Sequence, residues 1–540
     1  MQKQFRFIKE HGYNLFLSLV LALVTVLVTR VQFSGDLRSA TVEDTYFKEF
    51  GISALLLFFI LFIAFYLVIP FLDTKLHGLL AKICSSTGEK ANFSKAIKFW
   101  SILLPIAWIP YYLSYYPGCM STDTLTSIYF CLSGTLSNRH PVFYNMLLGL
   151  AIKFGNFFNK DLEWSMGFFL AVQMILFEVE IIYFLRWMLI HHINQKICTC
   201  VMVFMTFFPL IPLYAITIVK DTSFAMAFML WFMFFVDLYL NIRKNEWNVK
   251  PLAGFVVGMF LVAFTRNNGI YVIVFMTLCL IFITGTLKYV KKWLIWGTVI
   301  ISTALICFIQ GPVYRYIGVI PTEVVENYGI PLQQICSVVV YDGEITEEQK
   351  EIINCIVPYE NIPEVFNPLT VDNIKWCEGM NQYYLNGHER EFIKLWAKLL
   401  VKNPQIYVKE YLLQTLGFWD VCVSGSSGYV YYELEDNDYG LSQIDYFEKI
   451  FHFSFQRFVN PRHYLSSAWL FWIFFVGMLF IMKHYGWRDC LLFMPQIAVW
   501  LTIMIATPIA ISLRYVVALL FTLPLVVIVL ILLENRVLSQ

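Results

Sequence analysis

A short polar stretch around residue 120 holds the side chains of this chain that are best suited to chemistry. Asp123 follows Ser121-Thr122, a pair suited to beginning a helix, and His140-Pro141 lies where a further helix would begin. A carboxylate beside a membrane can act as a general base, taking a proton from an acceptor hydroxyl as that oxygen attacks. The alternative is structural: Asp123 hydrogen-bonds a helix N-terminus and His140 lies at a polar–apolar boundary.

Basic residues that could bind a phosphate recur at the ends of apolar segments. Lys220 precedes Asp221 in IVKDTSF, Arg266 lies in FTRNNGIYV and Arg514 in TPIAISLRYVVALL. Guanidinium groups bind phosphate in a bidentate manner and can neutralise the charge on a departing phosphate. Each residue alone also has an ordinary interpretation: an arginine that reaches to the lipid headgroups, or a surface ion pair between Lys220 and Asp221.

The composition places these residues in a membrane protein. The 540-residue chain is 59% hydrophobic and only 14% charged, and its mean hydropathy is +0.64. Soluble domains carry about 25% charged residues. The pattern predicts an all-α polytopic protein of the plasma membrane, and nothing in it indicates nucleic-acid binding.

The apolar runs predict about twelve membrane spans. They lie near residues 13–33, 51–71, 97–116, 164–187, 197–214, 224–241, 251–265, 270–287, 294–310, 466–483, 489–507 and 514–533. Lysine and arginine in short loops favour the cytoplasm, so the basic N-terminus and the basic loop after the second span both lie inside. The third span then delivers Asp123 to the outer face.

One further apolar segment, residues 141–158, decides the topology of everything after it. If it crossed the membrane, four later basic loops in a row would lie outside. Its polar residues recur at spacings of three and four, which gives one polar stripe on an apolar helix. These residues are Asn145, Gly149, Lys153, Asn156 and Lys160. We therefore predict a surface or re-entrant helix, both termini in the cytoplasm and the candidate residues on the outer face.

These assignments divide the chain into four parts. Residues 1–96 hold two spans and a cytoplasmic loop, and residues 97–310 form a membrane core with an outer loop at 117–163. Residues 311–465 are predicted to form a mainly α extracytoplasmic domain, and residues 466–540 hold three more spans.

Three further polar features occur in the predicted outer loops and membrane spans. The acidic run ELEDND at residues 433–438 lacks the spacing of an EF-hand, which favours a solvated loop over a calcium site. Glu178 lies near the middle of a predicted span, where a carboxylate has a structural hydrogen bond or a role in a pathway. Six cysteines on the outer side leave disulfides open but give no pairing: Cys119, Cys131, Cys336, Cys355, Cys377 and Cys422.

The order of these motifs resembles the GT-C superfamily of integral-membrane glycosyltransferases, and its bacterial members in particular. The runs that carry the resemblance are YPGCMSTDT, SNRHPVFYNMLLG, KDTSF, RNNGIY and IPLQQI. None is specific alone, but together they occur in this order on one predicted face. The similarity covers most of the chain, with the first two spans as an addition before the shared core.

The resemblance implies a GT-C-like fold and inverting transfer of a sugar from a polyprenyl-phosphate-linked donor. Asp123 matches the catalytic base, His140 the His-Pro position near the acceptor and the donor phosphate, and Arg514 a late arginine that contacts the lipid phosphate. Arg266 and Lys220 are the other candidates for the donor phosphate. Further candidates for substrate binding are Asp221, Asn267, Tyr515, Gln333 and Gln334.

The resemblance also bears on cofactors and partners. Many such enzymes carry an adjacent Asp-Glu pair in the first loop, whereas here Thr124 follows Asp123, so a divalent metal is not favoured. The expected co-substrate is the lipid-linked sugar, and the acceptor is a cell-envelope glycan, a lipid or a protein. Membrane lipids are the other expected partners.

Two other classes of function remain open. A transporter or flippase of a lipid-linked glycan suits twelve spans and the intramembrane carboxylates Glu178 and Glu180. Against it, no matched pair of broken apolar segments occurs in two halves, and the outer insertion is large. An acyltransferase that uses His140 lacks a second intramembrane polar partner.

Overall fold

A computed structural model describes residues 2–37, 39–85, 93–289, 291–423, 433–459, 466–506 and 509–538. In this part the chain is almost entirely α-helical, with one antiparallel pair of short strands, β1 (Val31–Phe33) and β2 (Thr45–Phe47). The first twelve helices are α1 (Gln2–Arg30), α2 (Ile52–Ser85), α3 (Phe93–Ser114), α4 (Thr122–Ser133), α5 (Val142–Phe157), α6 (Leu162–Ile190), α7 (Gln195–Phe207), α8 (Leu210–Ala215), α9 (Lys220–Lys244), α10 (Val249–Thr265), α11 (Gly269–Gly285) and α12 (Lys292–Phe308).

The described helices of the second half of the chain fall into two sets. Those between residues 311 and 465 are α13 (Tyr314–Tyr316), α14 (Gly329–Val340), α15 (Glu347–Ile356), α16 (Ile362–Val365), α17 (Asp372–Lys375), α18 (Gln382–Gly387), α19 (Glu389–Lys402), α20 (Pro404–Gln414) and α21 (Tyr446–Phe451). Those after residue 465 are α22 (Ala468–His484), α23 (Met494–Ala506) and α24 (Val517–Leu538).

Eight of the described helical segments are long and apolar enough to cross a membrane. They are His11–Arg30, Ile52–Cys84, Phe93–Ser114, Leu162–Ile190, Lys220–Lys244, Lys292–Tyr316, Trp487–Ala506 and Leu513–Val537. The prediction of an α-helical membrane protein is therefore confirmed. The other four predicted spans fall on the shorter apolar helices α7, α10, α11 and α22, so the count of twelve remains a prediction.

The membrane helices pack closely around α9. A Cβ atom at Gly258 of α10 would lie 2.7 Å from the Cβ of Trp231 in α9, and one at Gly254 would lie 2.4 Å from the ring of Phe234. Small residues at such positions let two helix backbones approach each other inside a membrane. The contact matters for the candidate residues because α9 begins with Lys220 and α10 ends next to Arg266.

A second hydrophobic core lies apart from the membrane helices, in what we call the inserted domain (residues 325–414). It is built mainly from α14, α15, α19 and α20. In α19 the buried residues Phe392, Leu395 and Leu399 follow one helical face, so the amphipathic pattern buries them against the neighbouring helices. Backbone hydrogen bonds attach this domain to the segment that precedes α24, because the Ala510 N–H donates to Leu369 O at 2.8 Å.

The structure also answers two of the smaller predictions. All twelve cysteines lie in the described part of the chain, and each is a free thiol, so the disulfides left open by the sequence are not formed. Glu178 is only half-buried, whereas Glu180, two residues later in α6, is buried. Residues two positions apart in a helix point about 200° apart, so Glu180 faces the interior of the protein and Glu178 does not.

Candidate functional site

Lys220, the first residue of α9, contacts both Asp123 and His140, the two candidate catalytic residues. Its Nζ atom lies 3.0 Å from Oδ2 of Asp123 and 2.7 Å from Nδ1 of His140. An ammonium group can only donate, so Nδ1 of His140 accepts the hydrogen bond and the imidazole is neutral, with its proton on Nε2. That Nε2 atom is buried and has no hydrogen-bond partner in the described part of the chain.

Arg514 approaches Asp123 from the opposite end of the sequence. Its NH1 atom lies 3.1 Å from Oδ2 of Asp123, the same oxygen that Lys220 contacts. Burial by itself would raise the pKa of the Asp123 carboxyl, but the charges of Lys220 and Arg514 hold that pKa well below its usual range. Asp123 is therefore ionised at neutral pH, with one oxygen occupied by two cations.

Asp221 is the buried anion of the site. Its side chain is 0% exposed, and its two oxygens lie 3.2 Å from Nε of Arg266 and 3.4 Å from Nε of Arg514. The surface ion pair between Lys220 and Asp221 that the sequence allowed is not formed, because successive residues of a helix point about 100° apart. Asp221 therefore lies between the two arginines and holds both of them in position.

These contacts form one continuous row of side chains, which we call the ion chain. Its members in spatial order are His140, Lys220, Asp123, Arg514, Asp221 and Arg266. Three cations alternate with two anions while the histidine is neutral, so the row carries a net charge of +1. Burial and the charge of Lys220 lower the pKa of His140 to about 3, which keeps that residue neutral.

The loop before α4 is held in place by backbone pairing. The Cys119 N–H donates to Ile216 O at 3.0 Å, and the Ile218 N–H donates to Cys119 O at 2.9 Å. Gly118 has a φ of +125°, and a Cβ there would lie 3.0 Å from the Ile218 side chain, so this close approach requires glycine. The pairing places the first turn of α4 next to the start of α9.

A residue from the far end of the sequence caps α4. The Thr122 backbone N–H donates to Oε2 of Glu435 at 2.8 Å, and the Thr122 hydroxyl donates to the same oxygen. Glu435 therefore caps the N-terminus of α4, whereas Ser121 makes no capping hydrogen bond through its side chain. The structural alternative for Asp123, a cap of this helix, is not what the structure shows.

The other residues proposed from the sequence divide into two groups. Tyr515 is buried in the site, with its ring 5.2 Å from the Arg514 guanidinium and 5.6 Å from that of Arg266. Asn267 follows Arg266 and donates through Nδ2 to Asn138 O at 2.7 Å. Both residues therefore lie beside the ion chain.

Gln333 and Gln334 lie elsewhere. Gln333 donates from Nε2 to Asn367 O at 2.7 Å and to Glu410 Oε1 at 2.8 Å, while Gln334 donates to Tyr407 O at 3.0 Å. Both are buried in the inserted domain, where they join α14 to α20. The structure does not bring them to the ion chain.

One contact near the site was missed by the sequence analysis. The guanidinium of Arg139, next to His140, lies 4.5 Å from the ring of Trp376 and 3.8 Å from Glu323 Oε1. Arg139 could have been noticed as the neighbour of His140, but no local pattern marks Trp376 as its partner. The contact brings the inserted domain to the edge of the site.

Among the described residues there is no group of three or more histidine, cysteine or acidic side chains that could hold an ion. The ion chain offers donors for an anion instead, since its cations outnumber its anions.

The fold and the site together define an α-helical membrane protein with a cluster of charged side chains at one end of its central helices. Residues 132–540 match the model of a family described as "Family of unknown function (DUF6020)", and the chain belongs to that family. The matched region contains every member of the ion chain except Asp123. No curated protein and no solved structure matches the chain.

Proposed function

We propose that this protein is a GT-C-type glycosyltransferase that transfers a sugar from a polyprenyl-phosphate-linked donor to an acceptor hydroxyl. The observation that carries the proposal is the ion chain, in which a carboxylate, a neutral histidine and three cations occur within one row. Base, hydrogen-bond donor and phosphate-binding cations are the groups that such a transfer needs. In this account the protein spans the plasma membrane about twelve times, with both termini inside, α5 on the outer surface and the inserted domain outside.

The chemical step is a single displacement. The acceptor oxygen forms a bond to the anomeric carbon and gives its proton to Asp123, while the bond from that carbon to the phosphate oxygen breaks. The phosphate leaves with the electron pair, so its charge grows and the cations Arg514 and Lys220 stabilise it. The configuration at the anomeric carbon inverts, because one attack from the far side occurs and no second carboxylate acts as a nucleophile.

His140 has a defined role in this step. Lys220 fixes the proton on Nε2, which has no partner in the described part of the chain and is buried. A buried donor without a partner costs about 1–3 kcal/mol, which a substrate oxygen at this position would offset. We assign Nε2 as the donor to an oxygen of the donor phosphate or of the acceptor.

The charge of the site suits the proposed donor. The ion chain carries one excess positive charge, and a phosphodiester between a polyprenol and a sugar carries one negative charge. No divalent metal is needed to balance it. The contact between Arg139 and Trp376 brings the inserted domain next to His140. In this account that domain selects the acceptor, which is a glycan, a lipid or a protein.

The proposal is tested by the release of free polyprenyl phosphate from a panel of lipid-phosphate sugars. Wild-type protein with a mixture of envelope acceptors should release the lipid, and Asp123→Asn should lower the rate by about 100-fold or more. Asp436→Asn, which changes an exposed carboxylate in the acidic run, is the matched control and should leave the rate unchanged. Equal rates in wild type and Asp123→Asn would reject Asp123 as the base.

One observation favours a second candidate, a transporter of a lipid-linked glycan. Glu180 is buried inside a membrane helix, and its Oε1 atom has no hydrogen-bond partner in the described part of the chain. Such carboxylates line substrate or ion pathways in transporters. A transporter should lose movement of a labelled lipid-linked glycan in Glu180→Gln, whereas the glycosyltransferase should keep its turnover in that variant.

A further inference from the structure

The proposed base forms ion pairs with two of the proposed phosphate-binding cations. Oδ2 of Asp123 lies 3.0 Å from Lys220 Nζ and 3.1 Å from Arg514 NH1. A carboxylate held by two cations is a weak base, since the same charges that stabilise its anion oppose its protonation. A donor phosphate would need those two cations as well.

We propose that the phosphate of the lipid-linked donor displaces Asp123 from Lys220 and Arg514, and that this exchange makes Asp123 competent as a base. The inference rests on the proposed function and adds the order of events at the site. Donor binding comes first, and the acceptor hydroxyl can lose its proton only afterwards. The exchange itself breaks no covalent bond, because two ion pairs with a carboxylate are replaced by two with a phosphate.

Both cations can stay in position during this exchange because each of them contacts a second residue. Lys220 keeps its contact with His140 Nδ1 at 2.7 Å, and Arg514 keeps its contact with the buried Asp221 at 3.4 Å. Removing Asp123 from the row therefore leaves both cations in place, with donors directed to the vacated position. Lysine and arginine both bind phosphate oxygens readily.

Exposure indicates which partner moves. The Asp123 side chain is 30% exposed, against 18% for Lys220 and 9% for Arg514. Asp123 lies in the first turn of α4 and is the most exposed of the three side chains, so we assign the movement to its carboxylate. Its pKa, which the two charges hold well below the usual range, would then rise, and the carboxylate would accept a proton more readily.

The exchange predicts that Asp123 opposes donor binding. The probe is the methyl diester of a polyprenyl phosphate, which carries one negative charge and no sugar, and which is titrated calorimetrically into the full-length protein in detergent. Asp123→Asn frees the cations without changing the shape of the side chain, so it should bind the probe roughly tenfold more tightly than wild type does. Asp123→Ser, which also removes the carboxylate, should do the same, and Asp436→Asn should bind as wild type does.

The outcomes separate this inference from the proposed function. Tighter binding in both Asp123 variants, with unchanged thermal unfolding, supports the exchange. Equal or weaker binding in folded variants overturns the exchange and leaves the phosphate site standing. No binding of the probe to any of the proteins overturns both the exchange and the proposed function.

Discussion

Arg514 is held by a buried carboxylate: its Nε atom lies 3.4 Å from Oδ2 of Asp221, whose side chain is 0% exposed. Asp221→Asn would leave Arg514 and Arg266 without their shared counter-charge. Breaking a buried ion pair from one side costs about 3–5 kcal/mol, so we expect a large fall in the thermal unfolding midpoint. Asp436→Asn should leave the midpoint unchanged, and an unchanged midpoint in Asp221→Asn would contradict the positioning role.

His140 should make the stability depend on pH in the acid range. Its pKa is about 3 in the folded protein, against about 6.5 in an unfolded chain. Between these values the unfolded chain binds a proton that the folded protein does not, so the free energy of unfolding falls as the pH falls from about 6.5. The variant His140→Asn, whose amide oxygen can accept from Lys220, should lose less stability between pH 7 and pH 5. Identical acid profiles for the two proteins would count against this assignment.

Glu410, in α20 of the inserted domain, should make the protein less stable as the pH rises, which is the opposite of the effect of His140. Burial raises its pKa from 4.5 to about 8, and its Oε1 atom accepts from Gln333. The folded protein then holds a proton that the unfolded chain has lost, so stability falls as the pH rises from 4.5 towards 8. Glu410→Gln keeps the neutral shape and should remove this slope. Unfolding midpoints measured from pH 5 to pH 8 would refute the prediction if both proteins gave the same slope.

The contact between α9 and α10 should tolerate no added methyl group. In Gly258→Ala the new Cβ would lie 2.9 Å from the Cα atom of Trp231, so a backbone must shift. We expect a loss of about 1–3 kcal/mol and a displaced Arg266 at the end of α10. Gly297→Ala, in α12, is the control because nothing lies within 4 Å of its added Cβ. A Gly258→Ala protein with wild-type midpoint and turnover would show that this contact does not position the site.

The class of protein and the members of the site follow from local patterns. Apolar runs of span length predict the membrane helices, and the basic loops predict that Asp123, His140, Lys220 and Arg514 lie on one side. Local sequence patterns do not predict which of these residues contact one another. Lys220 lies 97 positions from Asp123, and whether they meet depends on how α4 packs against α9, which a single segment does not encode.

Three other features of the structure depend on distant packing in the same way. The motif that contains Gln333 and Gln334 predicts a place beside the substrate, but the helix that carries them is buried in a separate core. Glu435 caps a helix from 313 positions away, so no local pattern could mark it. Glu178 and Glu180 differ only in the helical face they occupy, and that face is set by the neighbouring helices.

The most direct measurement is the amount of free polyprenyl phosphate formed from lipid-phosphate sugars by purified wild-type protein with envelope acceptors. The account predicts many molecules released per protein, a glycosylated acceptor of inverted configuration, and a rate lower by about 100-fold or more in an Asp123→Asn protein that nonetheless binds the donor. Absence of release from every donor in the panel, by a folded protein that moves a lipid-linked glycan across the membrane, would contradict it.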